Sequence, residues 1–470
     1  MKLTFVQKQP FCYFGVMSIS GFLKKHGYNS DVVITNLERN YIQALKKTQP
    51  DIIGFSVLST EHKWLKKIVP EVCSQFPDAF IIVGGIHSIL YPEDVINIKG
   101  VNAICNSDGE IPVLYLIKSL EAGDIDYSVK GLWFNKNNKV IRNDKEYLFS
   151  DLNSYFDDRE IYYNTYTQFK DDKLKYFMSS RGCPYKCSFC QNINLFEMFK
   201  GYGTYIRQKE AEHFIEEIKG VKTKYAFTSV FFADDLFTMN KKWLGRFVKL
   251  YNKEINIPFE CTIRADLIDE DLVQILLEGD CHTVSFGIET GSEKLRREIL
   301  NKNITDVQII NAARLLKQYG IRVQTSNMVG LPKETVENAF ETIELNIKIK
   351  SDFTFVSLFT PFPRTKIAEY MIQENLLKED YSLEDLNESF FVDTPVRSKE
   401  MYKLKNIHHV FFLSVKYPRL KRVFKKIIHL KCGWFFFILL LLSLVLRYKS
   451  ERNLSYFETF KLIWRYRKSY

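Results

Sequence analysis

Short apolar runs alternate with amphipathic stretches along most of this chain, and the alternation falls into two blocks. In the first, strand-like runs cover 2–6, 30–35, 51–57, 79–84 and 102–105. Segments with apolar residues at helical spacing lie at about 14–26, 60–75 and 111–121. Strands alternating with helices predict a parallel, doubly wound, Rossmann-like sheet over residues 1–125. Ligands of such sheets bind at the C-terminal strand ends, near the switch in strand order.

Residues 126–170 read as a connector. Gly131–Phe134, then Asn135-Lys136-Asn137-Asn138 and Val140-Ile141, predict a small hairpin, and 151–163 reads as an ordered but irregular linker. The second block spans 171–376, with strands expected at 174–179, 229–233, 260–263, 283–288, 323–329 and 353–358. Helices are expected between them, at 241–252, 269–277, 306–319 and 336–347 among others. Six strand–helix units predict a partial (β/α)6 barrel of TIM type, whose chemistry sits at the C-terminal strand ends. Residues 377–470 form a helical tail, so the fold class is α/β with a helical C-terminal region.

Net charge is +10, but residues 401–470 alone carry +14 and the rest of the chain −4. The basic character is local, which argues for a surface interaction and against a nucleic-acid-coating protein. Within the tail, residues 432–446 run 15 positions without a charge, flanked by Arg422, Lys425, Lys426 and Lys431 before and Arg447, Lys449 and Arg452 after. A spanning helix needs about 20 apolar residues. A helix lying on a membrane surface through 420–450, held by anionic headgroups, is the expectation. A helix buried against the barrel or in a dimer is the alternative. The first residues contain no apolar signal-peptide core, so none is expected. Nine cysteines in 470 residues do not make a disulfide scaffold, and a reducing cytoplasm suits them.

Three of those cysteines, Cys183, Cys187 and Cys190, share one loop after the first strand of the second block. Zinc would want four closed ligands, and no partner pair or histidine follows. Three thiolates suit three irons of a [4Fe–4S] cluster, leaving one iron open. The loop closely resembles that of the radical S-adenosylmethionine (radical SAM) superfamily, in which the open iron binds SAM. Reductive cleavage then yields a 5′-deoxyadenosyl radical. Phe189 matches the aromatic residue usual before the last cysteine.

The resemblance extends around the predicted barrel. Asp234 and Asp235 follow the second strand, where a similar pair in cobalamin-dependent members lies beside SAM's amino acid moiety. Taken alone, the pair reads equally as a helix cap. Arg264 ends the third strand, placed to meet a carboxylate, although a salt bridge at the barrel rim is the simpler role. Glu289, in Gly287-Ile288-Glu289-Thr290-Gly291, resembles the segment whose acid approaches the SAM ribose. Ser326 and Gly330 lie in the fifth-strand segment that resembles the adenine-packing one. Arg364 stands where the family more often has glycine.

The first block resembles cobalamin-binding domains, whose motif runs Asp-x-His-x-x-Gly, Ser-x-Leu and Gly-Gly. Gly15, Ser56, Leu58, Gly84 and Gly85 fit it, with Ser59 adjoining. The positions of the usual Asp and axial His are held by Pro10 and Cys12, so the resemblance implies cobalamin bound without a histidine ligand.

Together these resemblances imply a [4Fe–4S] cluster, SAM and cobalamin as cofactors, and an external flavodoxin- or ferredoxin-like electron donor. The expected activity is methylation of an unactivated carbon, and the basic apolar tail suggests a lipid-like or membrane-associated small molecule as substrate. A cobalamin-dependent oxidative cyclase shares the same residues. A methylthiotransferase with a second cluster on Cys12, Cys73 and Cys105 is a further rival, although its tail would be a small RNA-binding barrel. A non-catalytic cobalamin or redox sensor is the remaining alternative.

Overall fold

The computed structural model describes residues 1–452, 455–457 and 459. The remainder of the 377–470 region lies outside the described residues.

The N-terminal sheet is built from β1 (Leu3–Gln7), α1 (Phe14–Lys25), β2 (Ser30–Ile34), α2 (Tyr41–Thr48), β3 (Ile52–Ser56), α3 (His62–Gln75), β4 (Phe80–Gly84), α4 (Ile86–Leu90), α5 (Pro92–Ile96), β5 (Ala103–Cys105) and α6 (Glu110–Glu121). Its strand order is β2-β1-β3-β4-β5, all parallel, so the switch point lies between β1 and β3. Alternation along the strands divides two cores. Leu3, Phe5, Ile52 and Ile82 pack with α1 and α6, while Val6, Ile53, Phe55 and Val83 pack with α3 and α5. The sequence reading lacked α2, α4 and α5, which have 8, 5 and 5 residues, too few turns for a periodic signal.

The hairpin of β6 (Leu132–Lys136) and β7 (Lys139–Arg142) is more than a connector. It continues the sheet, β6 pairing antiparallel with β5. Its turn residues Asn137 and Asn138 have φ of 53° and 64°, the left-handed pair of a type I′ turn. The linker beyond holds two short helices, α7 (Glu160–Tyr163) and α8 (Thr167–Lys170). Tyr162 is fully buried, and its hydroxyl meets Gln7 and accepts from the Tyr13 amide.

The second domain runs β8 (Leu174–Phe177), β9 (Ser180–Arg181), α9 (Asn192–Met198), β10 (Arg207–Gln208), α10 (Ala211–Lys224), β11 (Ser229–Phe232), α11 (Lys241–Glu254), β12 (Phe259–Ile263), α12 (Glu270–Glu278), β13 (Cys281–Glu289), α13 (Glu293–Glu298), α14 (Asp306–Gln318), β14 (Arg322–Val329), α15 (Val336–Lys348), β15 (Phe353–Leu358) and α16 (Lys366–Gln373). Strands β8, β11, β12, β13, β14 and β15 form one parallel sheet in sequence order, a partial barrel open between β8 and β15. An aromatic cluster fills the layer outside β11 and β12, with Phe232 and Phe237 stacked at 4.3 Å. Helices α17 (Met401–Lys416), α18 (Pro418–Ile427) and α19 (Gly433–Arg452) follow, and α17 packs on α15 and β15.

Candidate active site

A cleft of about 320 Å3, partly open to solvent, lies between the N-terminal sheet and the head of the cysteine loop. One wall comes from the N-terminal sheet and the other from residues 178–181 at the head of the cysteine loop. Small residues hollow the first wall. Gly54, Ser56 and Gly84 fall on the sheet face toward α1 and α6, and Ser56 pairs directly with Gly84. A Cβ on Gly84 would meet only Cys105 at 3.8 Å and the Phe55 carbonyl at 3.9 Å, so the glycine leaves room rather than relieving a clash. Gly85 is different. Its φ is 90° and a Cβ would lie 2.7 Å from the Val57 amide, so the backbone itself demands glycine. Gly15 lines the mouth at the start of α1. This deep, largely apolar slot beneath the strand ends suits the nucleotide tail of a corrinoid.

Three expected cofactor contacts stand apart from that lining. Cys12 packs into the α1–α6 core, and burial pushes its thiol up to about 12. Leu58 is exposed, and Ser59 is buried at the start of a short 3-10 turn.

The cysteine loop leaves β9, which pairs with β10 through Arg181 and Arg207. Gly182 follows with φ of 89°, where a Cβ would strike the Tyr205 carbonyl at 2.7 Å. The loop then rests on the segment after α13. The Ser188 amide donates to Leu300 O at 3.0 Å, the Ser188 hydroxyl to Ile299 O at 2.6 Å, and Asn301 to Lys186 O at 2.7 Å. Phe189 packs against the core cluster that also holds Leu90 and Tyr91 of the N-terminal domain, and α9, which follows the loop, touches α4. Burial raises the thiols of Cys183 and Cys187 and pushes Cys190 up to about 11. Binding to iron displaces those protons. Among the described residues no three ligating side chains gather for a single ion. A cluster of several irons spaces its thiolates further apart, and three thiols on one loop are the donor set it takes.

Charged groups surround this loop. The Arg264 guanidinium lies 3.5 Å over the Tyr185 ring, forks onto Asp266 at 3.0 and 3.1 Å, and points Nη1 at Cys187 Sγ from 3.9 Å. Asp235, an exposed residue, accepts from Asn192 at 3.1 Å, and desolvation by its surroundings raises its carboxyl. Asp234 behaves differently from its neighbour. It is buried and accepts from the Ser179 amide at 3.1 Å, the Ser179 hydroxyl at 2.8 Å and the Ser180 hydroxyl. It fixes the backbone ahead of the cysteines, with every bond directed into the protein. Glu289 sits at a bulge in β13 with φ of 65°, unusual for a side chain of its size, and pairs with Lys302 at 2.8 Å. Ser326 pairs with Gly287 and Phe355 in the sheet. Gly330 has φ of 90°. Its amide and that of Leu331 donate to buried Glu334, whose carboxyl burial pushes up to about 8. Arg364 also has a left-handed φ of 61°, which accounts for glycine being usual there, and its guanidinium donates to Leu90 O at 3.2 Å.

Sequence reasoning missed the polar end of the cleft. Glu110 accepts from Ser18 at 2.9 Å, Tyr155 at 2.8 Å and Arg181 at 2.5 Å, and Asp108 pairs with Arg181 and Arg207. The bonded partners lie 45 to 99 positions apart, and isolated acids and arginines carry no local signal.

Residues 177–345 match the profile of the radical SAM superfamily, and residues 8–114 match that of the B12 binding domain. An uncharacterized methyltransferase of Pyrococcus horikoshii is 29% identical over 343 residues, 71% of this chain and 72% of that protein. A putative methylthiotransferase of Methanocaldococcus jannaschii is 26% identical, covering 80% of this chain and 82% of that protein. An anaerobic magnesium-protoporphyrin IX monomethyl ester cyclase of Rubrivivax gelatinosus is 24% identical, covering 74% and 64%. Among solved structures, the cobalamin-dependent SAM radical enzyme OxsB superposes with a TM-score of 0.70 at 16% identity, covering 95% of this chain and 72% of that one. The radical SAM methyltransferase TsrM of Kitasatospora setae gives 0.65 at 17%, covering 79% and 76%. These two likenesses bear on the fold.

Proposed function

This chain belongs to the radical SAM superfamily and carries a B12-binding domain, and on that premise we propose that it is a cobalamin-dependent methyltransferase acting on an unactivated carbon. The observation that carries the reading is the shared cleft. The corrinoid slot of Gly54, Ser56 and Gly84 and the strand leading to the cysteine loop line one cavity, which supports a reading in which the two cofactors share a common space. When bound, the [4Fe–4S] cluster supplies the electron that cleaves SAM, and cobalamin supplies the transferred methyl group.

The chain's own residues bind and orient. Cys183, Cys187 and Cys190 hold the cluster, and Arg264 lends positive charge at Cys187. Asp235, exposed beside the loop, accepts from SAM's ammonium. Asp234 holds the backbone that presents the loop. Glu289, Ser326 and Gly330 lie along the C-terminal halves of β13 and β14 and receive the adenosine. Gly15 and Gly85 let the corrinoid approach the strand ends. A flavodoxin- or ferredoxin-like donor supplies electrons, and the setting is the reducing cytoplasm at the inner face of a membrane. The substrate is a lipid-like or membrane-associated small molecule, a reading supported by the composition of the tail.

A second reading is oxidative cyclisation without methyl transfer, favoured by the cyclase relative. The methylthiotransferase rival needs Cys12, Cys73 and Cys105 together. Cys73 packs in the α3 core, and Cys12 and Cys105 on the other face of the sheet. The test is anaerobic reconstitution with iron, sulfide and cobalamin, then incubation with methyl-deuterated SAM and a total membrane lipid extract. Deuterated methyl in an extractable product supports methyl transfer. 5′-Deoxyadenosine without label in any product favours the cyclase reading, and no 5′-deoxyadenosine overturns both.

A further inference from the structure

Helix α19 is inside out. Its buried stripe, Phe436, Leu440, Ser443 and Arg447, recurs every three or four residues and packs on α17. That inward stripe holds a serine and an arginine. The opposite stripe, Trp434, Phe437, Ile438, Leu441 and Leu442, is exposed and entirely apolar, with Trp434 at 69%. A helix of a soluble surface places these classes the other way round.

Helix α18, beside it, carries two exposed apolar residues next to a basic face. Phe424 joins the small core that holds Phe436 of α19. Leu420 and Val423 face outward, with Leu430 just beyond the helix. On the wheel, Arg419 and Lys426 border this outward stripe and Arg422 lies one step beyond them, and all three are exposed. Lys421, on the inner side, pairs instead with Glu344 at 2.8 Å. No Asp or Glu occurs between residues 401 and 450.

Although α19 is the one helix, among the described residues, long and apolar enough to cross a membrane, its attachments hold it along the protein. Arg447 reaches the ring of Phe355 in β15 at 5.3 Å. Ser443 donates to Leu439 O at 2.7 Å and to His409 O at 3.4 Å, and Asn406 of α17 donates to Ile428 O at 2.8 Å and Leu430 O at 3.0 Å across the turn between α18 and α19. Crossing would detach all of these and carry Arg447 toward hydrocarbon.

We propose that α18 and α19 form an interfacial anchor on an anionic lipid bilayer. The outer stripe of α19, with Leu420 and Val423, enters the acyl boundary, and Arg419, Arg422 and Lys426 take the headgroups. The proposal names the partner of the tail and stands independently of the reaction assigned to the cleft.

The test is flotation of the full chain, reconstituted anaerobically, with vesicles of phosphatidylcholine alone or in equal mixture with phosphatidylglycerol. Binding to the anionic vesicles is expected to be at least roughly tenfold tighter and to weaken with salt. Trp434 emission is expected to shift to the blue, a shift that Trp434→Phe removes. Ile438→Glu with Leu441→Glu is expected to abolish flotation, and Arg422→Glu with Lys426→Glu to remove the preference for anionic lipid. Both double variants still form 5′-deoxyadenosine at the parent rate, which separates failure of the anchor from failure of the catalytic reading. Equal binding to both vesicles, a membrane fraction that resists alkaline carbonate, or a stable dimer with no vesicle binding each overturns the proposal.

Discussion

Arg181, two residues ahead of Cys183, donates to Glu110 at the start of α6 with a 2.5 Å contact, so one buried ion pair ties the cysteine loop to the corrinoid-binding sheet. Burial alone would raise the Glu110 carboxyl, but the guanidinium of Arg181 outweighs it and holds the acid well below its ordinary range. Asp108 also lies 3.4 Å from Arg181, and Ser18 and Tyr155 donate to Glu110, so the pair sits in a small buried polar network. Glu110→Ala therefore leaves Arg181 with Asp108 as its one carboxylate partner, a loss of about 1.5–3 kcal/mol. The expected result is a thermal midpoint lower by roughly 2–3 °C. Glu110→Leu combined with Arg181→Met recovers much of that loss, and strictly additive single effects would contradict the coupling.

The hollow in the sheet is testable by filling it. Gly84→Ala adds a methyl group where only Cys105 and a carbonyl approach within 4 Å, so the fold accepts it. Cobalamin affinity is expected to fall at least roughly tenfold, one methyl-sized clash being worth about 1–3 kcal/mol. Iron content stays unchanged. Optical titration with hydroxocobalamin and an iron assay on the same sample check both statements.

Arg264 places positive charge 3.9 Å from Cys187 Sγ and so favours the reduced, more negative cluster. Arg264→Met is expected to lower the cluster's reduction potential by roughly tens of millivolts while the iron count holds. A potential that stays fixed in an EPR-monitored redox titration would remove Arg264 from this role.

The sheets and their strand ends were legible because short apolar runs and amphipathic stretches alternate strictly, and every expected strand of both blocks forms within about two residues of its reading. Shorter elements were not legible. Helix α4 has a single turn and a half, and β9 and β10 have two residues each, set by pairing between Arg181 and Arg207 rather than by periodicity. The site divides in the same way. The cysteines and strand-end glycines announce themselves by spacing. Asp234 and Asp235 look equivalent in sequence, and only the positions of Ser179 and Ser180 on one side and Asn192 on the other send the first inward and leave the second at the loop's surface. Gly54 escaped notice because a lone glycine in an apolar strand acquires meaning only opposite Ile82, over the groove.

Glu334 gives the fold a pH dependence of definite sign. Burial raises its carboxyl from 4.5 to about 8, so the folded protein binds this proton through a range in which the unfolded chain has lost it. Stability contributed by the protonated acid is full below the unfolded value and falls as pH rises toward 8. Glu334→Gln keeps an oxygen to accept from the Gly330 and Leu331 amides and removes the titration. Its melting temperature is expected to vary less between about pH 5.5 and 8.5 than that of the parent. Parallel curves would contradict the assignment.

The most direct measurement is iron content and SAM cleavage for the anaerobically reconstituted chain beside its Cys187→Ala variant. The account predicts four irons per chain for the parent, 5′-deoxyadenosine on reduction, and neither a full cluster nor the nucleoside in the variant. A variant that retains four irons and still cleaves SAM would contradict it.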